Sequence, residues 1–89
     1  MDAVEITGRI KQIIANVAGL DAQRIDDGAT FHDDLNLDSL SLLEIGVDVD
    51  LAFQLNLPDE RYKEIGSIPE MAALILQRKG ELTGVAVQG

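Results

Sequence analysis

The hydrophobic positions near the N-terminus recur every three or four residues, which is the spacing of one helix face. The members of this stripe are Ile6, Ile10, Ile13, Ile14 and Val17. Asp2 with Glu5 resembles a capping pair at its start, and Gly19 is typical of a helix end. The pattern predicts a helix over residues 3–18.

A second stripe with helical spacing begins after Ser39. Its members are Leu42, Ile45, Val49, Ala52 and Phe53. Asp38 is well placed to cap the start of this helix, which we predict over residues 39–54. Gly46 interrupts it at a cost of about 1 kcal/mol relative to alanine. We therefore expect close packing against another helix at Gly46.

Two shorter patterns predict the remaining helices. Pro58 and Asp59 open a short helical turn that ends near residue 66. Ser67 and Glu70 have the spacing of a capping box, with a proline tolerated in the first turn that follows. A last helix is therefore expected to start just after Ser67.

The last helix is predicted over residues 68–79, with Gly80 closing it. Residues 81–89 are rich in small side chains and are expected to form a flexible tail. The prediction is thus an all-α, four-helix domain over residues 1–80, with a short third helix. Met1 and the self-contained caps favour a free-standing protein.

A long connection joins the first two helices and lacks a sustained period of either kind. Its apolar residues are Leu20, Ile25, Phe31, Leu35 and Leu37, which we expect to act as hydrophobic anchors. Loops of this length are uncommon in small domains and are usually functional. The end of the loop, at Asp38 and Ser39, is therefore the first place to look for chemistry.

Composition favours a binding or carrying module over an enzyme. A chain of 89 residues forms one small domain, short of the size that usually encloses a catalytic pocket. It has no cysteine, which is compatible with a reducing compartment, and no bilayer-length apolar run or signal pattern. We expect a cytoplasmic, monomeric protein without membrane insertion and without a metal site.

The negative charge is concentrated in the middle of the chain. Between Arg24 and Arg61 there are ten Asp and Glu residues and no Lys or Arg, out of a net charge of −9 for the whole chain. Such a field repels nucleic acid and steers this region towards basic patches on protein partners. The alternative is a surface that is acidic only for solubility.

Ser39 would be the first residue of the second helix if Asp38 is its N-cap. Its hydroxyl would then stand beside unpaired backbone N–H groups at the positive end of the helix dipole, a favourable place for a phosphate. The structural alternative is a serine that merely ends a loop. Leu40, Leu43 and Val47 lie on a face distinct from the main stripe, which indicates an exposed docking surface.

These residues resemble the acyl carrier proteins of fatty-acid and polyketide synthesis. The family signature is Asp-Ser-Leu at the start of the second of four helices, and this chain has Asp38-Ser39-Leu40. The resemblance covers nearly the whole chain, including Phe31, Asp34, Glu44, Phe53 and the pair at residues 58–59. It implies that a phosphopantetheinyl transferase esterifies Ser39 with phosphopantetheine from coenzyme A, and that the new thiol carries acyl groups as thioesters.

The resemblance also implies roles for two sets of side chains. The family's recognition helix would contact the transferase, an acyl-loading enzyme and synthase enzymes with basic docking patches through Leu40, Leu43, Glu44, Val47 and Asp48. The interior that shelters the acyl chain would be formed by Leu42, Ile45, Val49, Phe53, Leu57, Tyr62, Ile65, Met71 and Ile75. Ordinary core packing is the alternative for each member of the second set.

Three departures from the family pattern bear on the pathway. Asn36 stands where the family often has glycine, and Leu37 replaces a small residue. The second helix is also less acidic than in the usual fatty-acid carriers. A specialised polyketide, lipid or other carrier therefore fits at least as well as a housekeeping one. We also expect Tyr62 to narrow the interior and to favour short or polar acyl groups.

Other functions agree less well with the same residues. Asp34, Asn36 and Asp38 imitate the start of a calcium loop, but the required glycine and final glutamate are replaced by Ser39 and Ile45. A hydrolase using Ser39 with His32 lacks a nucleophile elbow. Carriers of nonribosomal peptide assembly usually have a Gly-Gly approach to the serine, absent here. An unmodified acidic helical adaptor would need no hydroxyl at residue 39.

Overall fold

The computed structural model describes residues 2–83, with side chains through Glu81, and all named elements within this range are helical. The four α-helices of this part are α1 (Ala3–Ala18), α2 (Ser39–Phe53), α3 (Asp59–Lys63) and α4 (Ile68–Thr83). A single 3₁₀ turn (Ala22–Arg24) lies in the loop between α1 and α2. Helix α1 packs against α4 and α2, and α3 packs against α2. The predicted all-α, four-helix fold is confirmed.

The caps identified in the sequence start and stop these helices. The Asp2 carboxylate accepts a hydrogen bond from the Glu5 N–H at 2.9 Å, and Gly19 ends α1 in the left-handed conformation with φ 72°. At α4, the Ser67 hydroxyl accepts from the Glu70 N–H at 3.3 Å. The Glu70 carboxylate in turn accepts from the Gly66 N–H at 3.0 Å, one residue before the position a capping box uses.

The core is aliphatic and is formed by the stripes of α1, α2 and α4. Its fully buried members include Ile6, Ile10 and Ile14 of α1, Ile45 and Val49 of α2, and Met71 and Ile75 of α4. Phe53 and Tyr62 are also buried. Ala52, which the sequence placed on the α2 stripe, is exposed. It lies at the edge of the stripe, and Phe53 takes the core position.

The loop between α1 and α2 is fixed by buried side chains and by backbone hydrogen bonds to the start of α4. Ile25, Phe31 and Leu37 are buried, and Leu35 packs against the core. Leu20 is exposed and is therefore not an anchor as expected, because it follows directly after the helix-ending turn. The Phe31 N–H donates to the Gly66 carbonyl, and the Ile68 N–H donates to the Ala29 carbonyl.

The last helix is longer than the sequence indicated. We expected Gly80 to close α4, and this is wrong, because the helix continues to Thr83. Arg78 and Glu81 form an ion pair at 3.2 Å that spans Gly80 and supports the extra turn. The rest of the expected flexible tail, residues 84–89, lies outside the described residues.

Charged side chains near the end of α4 bind the end of α2. The Arg78 Nε donates to the Leu55 carbonyl at 2.8 Å, and the Lys79 Nζ donates to the Phe53 carbonyl at 3.2 Å. The Phe53 carbonyl is one of those at the end of α2 that have no partner within the helix, and the Leu55 carbonyl lies in the loop directly after it. None of the helices within residues 2–83 has the length and apolar content needed to cross a bilayer.

Candidate functional site

Ser39 is exposed and is the first residue of α2. Asp38 precedes it with extended backbone, and its carboxylate accepts a hydrogen bond from the Ser41 N–H at 2.8 Å. This is the N-cap that the sequence predicted. The Ser39 hydroxyl is therefore available to another protein, at a helix end where backbone N–H groups favour a negative group.

Hydrogen bonds shift the acidity of the capping carboxylate. The Ser41 N–H, and after it the Ser41 hydroxyl, lower the pKa of Asp38 below its usual value. The carboxylate is consequently ionised at neutral pH and keeps its capping role. A charged cap also complements the positive end of the helix dipole.

The backbone before Asp38 explains the first departure from the family pattern. Asn36 has φ 55°, in the left-handed region that glycine adopts without strain. Asparagine is one of the few other residues that tolerate this conformation. Asn36 thus performs the turn for which the family often uses glycine, and Leu37 is buried directly after it.

A groove of about 580 Å³ opens beside the Ser39 hydroxyl. Leucines from α2 supply its apolar lining, while a loop residue and α3 add polar groups. The lining residues are His32, Ser39, Leu40, Leu42, Leu43, Asp59, Tyr62 and Lys63. His32 is exposed, as expected from the sequence, but its position beside this groove was not foreseen. The position of Lys63 beside the groove was not foreseen either, because no motif in the sequence includes this residue.

All five side chains expected to contact partners are exposed on α2. Leu40 is 65% exposed, Leu43 37% and Val47 41%, and Glu44 and Asp48 lie among them. Leu51, 71% exposed, extends this surface and was not among the expected contacts. Its spacing of four residues after Val47 was the available sign in the sequence. We call these six residues the α2 face.

The side chains expected to shelter an acyl chain lie in one cluster. Ile45, Val49, Phe53, Tyr62, Met71 and Ile75 are buried, and Leu42, Leu57 and Ile65 pack against them partly exposed. Burial of this kind is what both an ordinary core and a chain-binding interior require. Their role in holding an acyl chain stays a prediction.

Tyr62 is tied to α2 at two points. Its hydroxyl donates a hydrogen bond to the Asp50 carboxylate at 2.7 Å. Burial, together with this bond to a carboxylate, raises the pKa of Tyr62 well above its usual value, so the hydroxyl stays protonated. The expected close packing at Gly46 is confirmed, because a β-carbon placed there would lie 2.9 Å from Cγ of Tyr62.

The site fits an arm with an anionic phosphate, a polar middle and a reactive thiol. The attachment point is an exposed hydroxyl at a helix start, and the adjoining groove has apolar and polar sides. Among the described residues, no group of three or more His, Cys, Asp or Glu side chains could hold a metal ion.

Comparisons with known proteins agree with this geometry. A family model described as the phosphopantetheine attachment site matches residues 8–75, which include the described groove. This domain is the one that carries the covalent phosphopantetheine group. Its match extends over all of α2 and α3 and most of α1.

Two curated relatives are similar to this chain in sequence, and one solved structure is similar in fold. The acyl carrier protein of Rubrobacter xylanophilus is 32% identical over 89% of this chain and 98% of its own length. That of Solidesulfovibrio magneticus is 31% identical over 88% of this chain and 100% of its own length. The solution structure of the apo doublet acyl carrier protein from prodigiosin biosynthesis is 27% identical, with a TM-score of 0.76. The match covers 86% of this chain but 38% of that one. Together, the matched family model and these relatives establish that this chain belongs to the acyl carrier protein family.

Proposed function

We propose that Ser39 is the residue esterified by phosphopantetheine and that the chain carries acyl groups as thioesters on the arm. The observation that carries this proposal is the exposed Ser39 hydroxyl at the capped start of α2, next to a groove. The bound arm supplies the thiol that a cysteine-free chain lacks. The protein's own contribution is to present the hydroxyl and to hold the attached group.

The residues around Ser39 have separate tasks in this proposal. Asp38 fixes the first turn of α2, so that Ser39 stands at the exposed start of the helix. The unpaired N–H groups of this turn favour the phosphate of the ester. His32 and Lys63 line the same groove and offer polar groups to the arm. The leucines of the groove offer apolar contact to what the arm carries.

The proposed partners are a phosphopantetheinyl transferase, an acyl-loading enzyme and synthase enzymes with basic docking patches. The α2 face supports this, since it combines exposed leucine and valine side chains with Glu44 and Asp48. A carrier has to bind several enzymes in turn and leave each one. Electrostatic attraction with a small apolar contact suits fast exchange of this kind.

The pathway we propose is a specialised one, for a polyketide, a lipid or a related product. The α2 face has two carboxylates, because the third acid of this helix, Asp50, is half-buried and is used within the domain. Partners of this chain would therefore need more apolar contact than partners of a strongly acidic helix. The relative from prodigiosin biosynthesis is in keeping with such a pathway.

Two other functions remain as alternatives to be separated by experiment. A carrier of nonribosomal peptide assembly would share the modified serine and the fold. The Asn36-Leu37 approach, in place of Gly-Gly, favours the acyl carrier over it. An unmodified acidic adaptor would use the same α2 face without needing Ser39.

Mass spectrometry after incubation with coenzyme A and a broad-specificity phosphopantetheinyl transferase tests the attachment. We expect the wild-type protein to gain the mass of one phosphopantetheine arm and Ser39→Ala to gain nothing. Ser41→Ala is the matched control, because it removes the neighbouring hydroxyl and leaves the Ser41 N–H that Asp38 binds. This control should be modified like the wild type.

An unmodified wild type would contradict the carrier function and favour the adaptor. Modification of the Ser39→Ala protein would place the attachment on another residue. For the pathway, acyl groups offered by loading enzymes of fatty-acid and of polyketide synthesis can be compared on the modified protein. Preference for the fatty-acid loading enzyme would contradict the specialised pathway.

A further inference from the structure

Tyr62 is the one side chain of α3 that is buried in the core and also lines the groove beside Ser39. It is 4% exposed, while its α3 neighbours in the groove lining, Asp59 and Lys63, are both exposed. The ring therefore stands between the groove and the interior. Leu42 of α2 also lines the groove and packs against the core, so an acyl chain that enters between α2 and α3 meets these two side chains.

The first interaction that fixes the Tyr62 ring is its contact with the α2 backbone at Gly46. A β-carbon built on Gly46 would lie 2.9 Å from Cγ and 3.0 Å from Cβ of Tyr62, well inside normal carbon–carbon separations. Only glycine at residue 46 lets α3 approach this closely. At residue 46 the contact between α2 and α3 is therefore made by the Tyr62 ring alone, because Gly46 has no side chain.

The second interaction is the hydrogen bond that the Tyr62 hydroxyl donates to Asp50, one helical turn after Gly46. The Asp50 carboxylate also accepts from the Leu57 N–H at 2.9 Å and from the Asn56 N–H at 3.2 Å. It thereby joins the end of α2, the following loop and the Tyr62 hydroxyl. Turning the ring aside would break a charge-assisted bond and loosen this shared anchor.

We infer that Tyr62, held by Gly46 and Asp50, closes the bundle interior to the acyl chain, so that this carrier holds short or polar acyl groups in the groove beside Ser39. The inference rests on the proposed attachment at Ser39, and it departs from the sequence-based expectation that the interior side chains shelter the acyl chain. Leu40, Leu42 and Leu43 give a short chain apolar contact without any movement of the ring. A long aliphatic chain gains no further contact in the groove, and the interior side chains Ile45, Val49 and Met71 are already fully buried against one another and the rest of the core.

The polar side of the groove extends the inference to functionalised chains. His32, Asp59 and Lys63 line it together with the leucines and are exposed to solvent. Keto and hydroxyl groups along an acyl chain can form hydrogen bonds there. In a sealed aliphatic interior the same groups would be buried without partners, which is unfavourable.

The test compares butyryl, octanoyl and dodecanoyl thioesters on the wild type and on Tyr62→Ala. Methyl NMR signals of Leu42 and Leu43 report the groove, and those of Ile45 and Val49 report the interior. In the wild type we expect all three chains to shift the groove signals and none to shift the interior signals. In Tyr62→Ala, the dodecanoyl chain should shift the interior signals as well.

Cleavage of the thioesters by hydroxylamine gives a second measurement. The wild type should lose butyryl and dodecanoyl groups at similar rates. In Tyr62→Ala, dodecanoyl cleavage should slow about tenfold, the factor that corresponds to burying about two methylene groups. Tyr62→Phe is the matched control that keeps the ring on Gly46 and removes the hydrogen bond to Asp50. Its rate of dodecanoyl cleavage should fall between those of the wild type and Tyr62→Ala.

Interior signals that shift with dodecanoyl in the wild type would overturn the inference, and this result does not depend on the folding of any variant. Unchanged interior signals in a folded Tyr62→Ala protein would also overturn it. If Tyr62→Ala does not fold, Tyr62→Leu takes its place in both measurements. A failure of the proposed attachment is distinct, because no thioester of the wild type could then be prepared at all.

Discussion

At the scale of single residues, Asp38 decides where α2 begins and therefore where Ser39 stands. Its carboxylate binds the Ser41 N–H, and its pKa is lowered by Ser41. A carboxyl whose pKa is lower in the folded than in the unfolded protein stabilises the fold above the unfolded pKa. That contribution is lost as the pH falls through the folded value.

Asp38→Asn separates the cap from the charge. Asparagine caps helices about as well as aspartate, so α2 should start at the same residue. We expect the wild type to be more stable than Asp38→Asn at neutral pH. The difference should vanish as the pH falls from 3.8, the ordinary pKa of an aspartate carboxyl, through the lower pKa of the folded protein. Urea unfolding over this pH range measures it. A difference that stays constant with pH would show that the charge plays no part.

Some residues of the site could be predicted from the sequence and others could not. Asp38, Ser39 and the exposed leucines follow from local spacing, because caps and helix faces depend on neighbours in sequence. His32 and Lys63 reach the groove from the loop and from α3, so their place depends on tertiary packing. No spacing in the chain encodes such an approach.

At the scale of elements, the two glycines inside the first two helices behave oppositely. Gly8 in α1 has open space around its position, whereas Gly46 in α2 lies against Tyr62. The intrinsic gain on replacing glycine by alanine in a helix is about 1 kcal/mol in both cases. What differs is the room for one methyl group.

Gly8→Ala should therefore raise the free energy of unfolding by about 1 kcal/mol. Gly46→Ala should lower it, because overpacking costs about 1–3 kcal/mol and exceeds the helix gain. In a Tyr62→Ala background the Gly46→Ala effect should change sign, since the obstructing ring is gone. Urea unfolding of the four variants measures this. A stabilising Gly46→Ala in the wild-type background would contradict the close contact.

The helix starts were predictable because each uses a side-chain cap or a proline, and the buried stripes because they repeat. The segment between α2 and α3 was not. Gln54 and Asn56 both have φ 56°, and Leu55 between them is fully buried. Left-handed backbone at such residues has no sequence signature comparable to glycine, so the burial of Leu55 was not predicted, although Leu57 in the same loop was expected in the interior. Gly80 led to the opposite error, because α4 continues past it to Thr83, with the Arg78–Glu81 ion pair on either side of it.

At the scale of the whole molecule, the acidic middle of the chain faces outward along α2 and its flanking loop. Glu44 and Asp48 are exposed there, while Asp26 is exposed in the loop between α1 and α2. Long-range attraction depends on the summed charge, whereas docking depends on charges in the contact. One charge-reversing substitution on α2 and one in the loop between α1 and α2 distinguish long-range attraction from direct docking.

Glu44→Lys should slow modification by the transferase at low salt by about fivefold, the factor that corresponds to a surface ion pair of about 1 kcal/mol. Asp26→Lys changes the net charge equally and should have a much smaller effect. The difference should shrink as the salt concentration rises. Rates of arm transfer measured over a salt series test this. Equal effects of both variants would mean that the α2 face is not the contact.

The backbone bonds between residues 29–31 and 66–68 have a practical consequence for redesigning this carrier. These bonds use N–H and carbonyl groups, so they persist whatever side chains the exposed part of the loop presents. The loop can accordingly accept new surface chemistry without displacing the hydroxyl at its end. Retargeting the carrier to another set of enzymes is then a matter of changing surface residues on a frame that already holds its shape.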